Sequence, residues 1–151
     1  PAFPHPEHTA LPIPFPVQGR NVMILADEDV AKLRPHAPAL AWVVDITIEQ
    51  QPLPIATIQP EGQGREIAPP MTGCHQPSEV VTSTEIPFAW FAQGLRIFDI
   101  ADPYAPKQVA WFQPDPAPGV DRLSTNDVTI DDRGLIYIID RMRGLHIVER
   151  V

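Results

Sequence analysis

Apolar and polar positions alternate with a period of two along most of this chain. Leu95-Arg96-Ile97-Phe98-Asp99-Ile100 is one such run, rich in β-formers, and Val109-Ala110-Trp111-Phe112 begins another. Between them, Ala101-Asp102-Pro103-Tyr104-Ala105-Pro106 is turn chemistry, because proline fixes φ and aspartate can accept from the backbone ahead of it. The same reading predicts strands at His8–Leu11, Asn21–Ala26, Leu40–Ile46, Ile55–Ile58, Val80–Thr82 and Phe88–Ala92. Three more follow at Thr125–Ile130, Leu135–Asp140 and Leu145–Arg150, the first two joined by the tight-turn sequence Asp131-Asp132-Arg133-Gly134. Val30–Ala39, Gln59–Thr72 and Asp115–Ser124 read as connectors, the first beginning with a helical turn.

The pattern repeats. Asp45-Ile46, Pro52 and Ile55–Pro60 lie over Asp99-Ile100, Pro106 and Val109–Pro114 without a gap, at an offset of 54 residues. Gly144–Glu149 lies over Gly94–Asp99 at an offset of 50. Units of up to four short strands recurring at this period are the signature of propeller blades. The expected fold is therefore all-β, an incomplete β-propeller of about two and a half to three four-stranded blades within a single domain, residues 1–151. The blade-like units fall at about 5–60, 73–114 and 124–151. Since propellers close with about four to eight blades, the expected partner is the remaining blades, from the same polypeptide or from another chain. The opening Pro-Ala-Phe-Pro, without Met or a signal-type segment, reads as a processed or truncated start.

Composition narrows the picture. Twenty prolines against eight glycines oppose long helices and favour short strands with stiff corners. A net charge of −8, with no basic run, opposes binding to nucleic acid or to an anionic membrane surface. No apolar run approaches the length of a transmembrane helix. Cys74, the single cysteine, excludes an intrachain disulfide.

The segments GLRIFDIADPYAPKQVAWF (94–112), NDVTIDDRGLIYIIDRMRGLHIVE (126–149) and GCHQPSE (73–79) resemble the LVIVD-repeat family of β-propeller proteins. PEHTALPIP followed by GRNVMILADED is similar to the run that opens a blade there. The resemblance covers most of residues 5–151 and implies the C-terminal part of a longer member, exported or surface-associated, with no assigned reaction. A more distant likeness to propellers of the selenium-binding (methanethiol oxidase) type implies metal held by histidines.

The candidate chemistry is a metal site. Inner strands of a propeller line its central channel, and His8 and His75 both stand where such a strand begins. Asp27-Glu28-Asp29 ends a neighbouring strand at the same rim. His8, Glu28 and His75, with Asp27 as a further carboxylate, would suit zinc, iron or copper. Ordinary loop-capping roles compete with this reading, since the spacing matches no compact motif. Cys74 beside His75 reads as a structural thiol, because neighbours on a strand point to opposite faces. Asn126, Asp127 and Asp140 occupy channel-side positions in the third unit, although an aspartate after a strand is ordinarily a turn former. The recurrence of Asp45 and Asp99, with Glu149 in their place in the third unit, points to bonding of the corner amides. Trp42, Trp90, Trp111, Phe91, Phe98 and Phe112 are expected to pack between units rather than to form a carbohydrate platform.

Two functions are compatible with this. The first is a binding or scaffold module that meets its partner through the loops Val30–Ala39 and Gln59–Thr72. The second is a metal-dependent enzyme, or a subunit of one, with the His/carboxylate site in its channel.

Overall fold

The computed structural model describes residues 5–28, 39–60 and 73–150. The described residues form eleven strands and no helix, so the protein is all-β. Strands β1 (Glu7–Pro12), β2 (Val22–Asp27), β3 (Ala41–Asp45) and β4 (Leu53–Ile58) pair in chain order as one antiparallel sheet. Strands β5 (Gln76–Pro77), β6 (Glu85–Ala89), β7 (Leu95–Asp99) and β8 (Lys107–Phe112) form a second. Strands β9 (Thr125–Ile130), β10 (Ile136–Asp140) and β11 (Gly144–Val148) form a third, of three strands.

Aspartates make the corners. Asp45, Asp99, Asp102, Asp131 and Asp140 each accept a hydrogen bond from the amide two residues ahead, at 2.9–3.1 Å. A short carboxylate so placed satisfies an amide that the ladder has released, which is why the residue recurs at strand ends. A bulge recurs as well. The register of β3 on β4 shifts between Val43 and Val44, and that of β7 on β8 between Ile97 and Phe98, which are the same positions of the repeat.

The sheets stack face to face. Val22, Ile24, Ala41 and Val43 of the first sheet pack against Ile86, Phe88, Trp90, Phe98 and Ile100 of the second. Leu95, Ile97 and Ala89 of the second pack against Val128, Ile136 and Ile138 of the third. The short strand β5 touches β1 and β2 on one side and β9 on the other, so the leading strands of the three sheets converge. Phe91 fastens the second sheet to the third. Its carbonyl accepts from Thr125 N at 3.0 Å and from Gly94 N at 3.2 Å, and its φ is +27°.

Three expectations are corrected. Val80–Thr82 is not a strand; the first strand of the second sheet lies earlier, at Gln76–Pro77. Ser78 Oγ accepts from Val80 N and donates to Val80 O, and Ser83 Oγ accepts from Glu85 N, so this stretch bonds locally instead of joining a ladder. The following strand is Glu85–Ala89 rather than Phe88–Ala92. It ends at Ala89 because Trp90 and Gln93 close a turn, with Gln93 N donating to Trp90 O at 2.7 Å. Finally, the tryptophans do not share one fate. Trp90 is fully buried beside Phe88 and Phe98, whereas Trp111 is 62% exposed on edge strand β8 with the Arg96 guanidinium 5.4 Å from its ring centre. The proposed contact loops Val30–Ala39 and Gln59–Thr72 lie almost wholly outside the described residues.

Candidate metal centre

Three separate pieces of chain bring His8, Glu28 and His75 together. In β1, Glu7 pairs with Asp27 and Thr9 with Ala26, which leaves His8 as the extra residue of a bulge. A bulge of this kind re-aims the side chain it carries. Glu28 follows the last residue of β2 and is tied back by its amide, which donates to Pro6 O at 2.8 Å. His75 precedes β5, its amide donating to Ala89 O at 3.0 Å, while Cys74 N donates to Ala39 O at 3.2 Å. Gly73 is needed just before them, because a Cβ there would lie 2.5 Å from the Ala39 Cβ.

The carboxylate faces the Nε2 atoms of both imidazoles. His75 Nε2 is 3.6 Å from Glu28 Oε1, and His8 Nε2 is 4.0 Å from Glu28 Oε2. One potential ligand atom from each of the three residues lies within 4.8 Å of the others, and the two rings are 4.3 Å apart between centroids. Thr9 Oγ1 bonds His8 Nδ1 at 2.8 Å, which orients that ring with its Nε2 towards Glu28. His75 is 7% exposed, and its Nδ1 makes no hydrogen bond. Burial lowers the pKa of His75 and the neighbouring His8 lowers it further, against upward pulls from Glu28 and the Asn126 backbone; Arg141 adds a lesser downward push. A lowered pKa keeps the imidazole neutral near pH 7, the form in which it ligates metal.

A ring and a cation complete the surroundings. Phe91 is fully buried and meets His75 edge-on at 5.0 Å, and the Arg141 guanidinium lies 5.7 Å from the Phe91 ring centre. The positive φ of Phe91 is a strained conformation for a bulky residue, held by the two amides on its carbonyl.

The remaining sequence candidates go elsewhere. Asp27 is buried and turned away from the cluster: both its oxygens accept from Trp42 Nε1 at 3.1 Å. Its desolvation raises its pKa, which the Trp42 bond partly offsets. Cys74 is fully buried with its thiol pKa well raised by burial, and its Sγ points at Ala89 O, so it is no nucleophile. Asp127 bonds Gln76 Nε2 and its neighbour's amide, linking β9 to β5. Asp140 accepts from Ser124 N, Met142 N and Arg143 N, and is spent on those turns. Asn126 is the bulge residue of β9, as His8 is of β1, and its backbone faces His75.

The sequence reading has Phe91 packing between units but not against His75, and gives no sign of Arg141. The sequence reading of Phe88–Ala92 as a continuous strand concealed the turn that aims the Phe91 ring. Thr9 was legible only as a hydroxyl next to a histidine. No protein-family model matches the chain, and no curated protein matches it. No helix among the described residues is long and apolar enough to cross a membrane.

Proposed function

We propose that this chain is part of a β-propeller of the LVIVD-repeat type whose inner rim binds a divalent transition metal through His8, Glu28 and His75. The observation that carries the metal reading is the convergence of two imidazoles and a carboxylate, from three chain segments, to within 4.8 Å. A set of two histidines and one carboxylate suits zinc or iron(II), and three protein ligands leave a coordination position open. Bound there, the metal would act as a Lewis acid on a ligand oxygen or on water. The chain's own part is to hold two imidazoles and one carboxylate at fixed positions.

The propeller reading is supported by the repeat. Ala41 and Val43 are covered by the second sheet, and their equivalents Leu95 and Ile97 are covered by the third. The next equivalents, Leu145 and Ile147, are 59% and 56% exposed on a sheet that has three strands where the others have four. A further four-stranded unit, from elsewhere in a longer chain or from a partner, would cover them as each sheet covers the one before.

The test is metal content. Chelator-treated protein offered Zn(II), Fe(II) or Cu(II) is expected to take up a single ion per chain. His75→Ala should abolish uptake, and Thr9→Val, which frees the His8 ring, should weaken it by about 10–100-fold. A folded wild-type protein that takes up no metal from any of the three overturns the reading. It would leave a binding or scaffold module, the reading in which the loops Val30–Ala39 and Gln59–Thr72 meet the partner.

A further inference from the structure

Among the described residues, Arg141 is the cation packed against the ring that meets His75. It starts the turn after β10, fixed there by its amide, which donates to Ser124 O at 3.0 Å. Its side chain is exposed and, among the described residues, forms no ion pair. Its guanidinium stands over Phe91, and Phe91 stands against His75, so the charge is one aromatic ring away from the cluster. The Phe91 carbonyl, which accepts from Thr125 N, also clamps the second sheet to the third, so the backbones that carry Arg141 and His75 are tied through it.

We infer that the metal centre is one half of a binding site for a small oxyanion, with Arg141 as the other half. This rests on the metal reading above. The ligand would place one oxygen on the open position of the metal and a second oxygen group on the guanidinium, whose planar fork matches carboxylate and phosphate geometry. The matching chemistry is a short dicarboxylate or a phosphate-bearing molecule. Local charge agrees: a divalent ion and Arg141 outweigh Glu28 at the site, while the chain as a whole carries −8 and would repel anions elsewhere.

The experiment uses Co(II) as a coloured stand-in for Zn(II), with metal content measured on every sample. The loaded protein is titrated with acetate, succinate and inorganic phosphate, and the visible band of the metal is followed. Succinate or phosphate should bind more tightly than acetate, which has only one anionic end. Arg141→Met should weaken that ligand about tenfold or more without changing metal content, and Arg141→Lys should recover part of the loss. Arg143→Met, in the same turn, should change nothing. A response to succinate alone identifies a carboxylate ligand, and a response to phosphate alone a phosphate ligand. Anion affinity equal in wild type and Arg141→Met, with metal bound in both, overturns this inference and leaves the metal centre standing. Absence of metal from the wild type overturns both.

Discussion

Asp131 gathers more hydrogen bonds than any other surface carboxylate described. Arg133 reaches it through its amide, Nε and one terminal nitrogen, Tyr137 through its hydroxyl, and Leu135 through its amide. Desolvation pushes its pKa up, but the bonds from Arg133, Tyr137 and the two amides prevail and bring it from 3.8 down to about 2. The folded-state pKa is thus below the unfolded one, so the unfolded chain binds the proton more readily. The stabilisation is complete above 3.8 and is lost as the pH falls towards 2. Asp131→Asn should therefore lower the melting temperature by a constant amount at neutral pH, and the gap to wild type should close on acidification through that window. Melting curves across the range check it; a gap that does not change with pH would mean that charge at Asp131 contributes nothing.

Gly94 decides how β6 turns into β7. Its φ is +75°, and a Cβ would stand 2.6 Å from the Phe112 carbonyl oxygen, a backbone atom that cannot step aside. Gly134, in the hairpin between β9 and β10, has φ +83° but open space around it. The pair separates two costs. Gly134→Ala should lose about 1 kcal/mol for the left-handed conformation alone. Gly94→Ala should lose that and more, and shift the register of β7 on β8, as read by urea unfolding and amide exchange. Equal losses would mean that the Phe112 contact is soft. At this scale the sequence was informative where strands are long and their faces differ, since period-two alternation reports one buried face. It misled at Val80–Thr82, where β-branched residues suggest a strand but two serine hydroxyls capture the backbone locally.

At the scale of the molecule, the legible part of the candidate site was the chemistry of His8, Glu28 and His75; the illegible part was the placing of Phe91 against His75 and of Arg141 over Phe91. Ligand-type residues at strand ends announce themselves by type, but a ring aimed by a strained backbone and a cation brought by another sheet depend on contacts far apart in the chain. The repeat offers an internal control on how the sheets stack. Leu95 and Leu145 share one position of it, yet Leu95 is 2% exposed against the third sheet and Leu145 is 59% exposed. Leu95→Ala should cost about 2–5 kcal/mol, because it opens a cavity in a packed interface. Leu145→Ala should stay within about 0.5 kcal/mol, because no sheet among the described residues covers it. Leu145→Lys should likewise leave stability unchanged while reducing concentration-dependent association in sedimentation runs, since it places charge on the apolar face beside Ile139 and Ile147. Equal costs at the two leucines would show that the third sheet's outer face is already covered, and the case for a further unit docking there would fall.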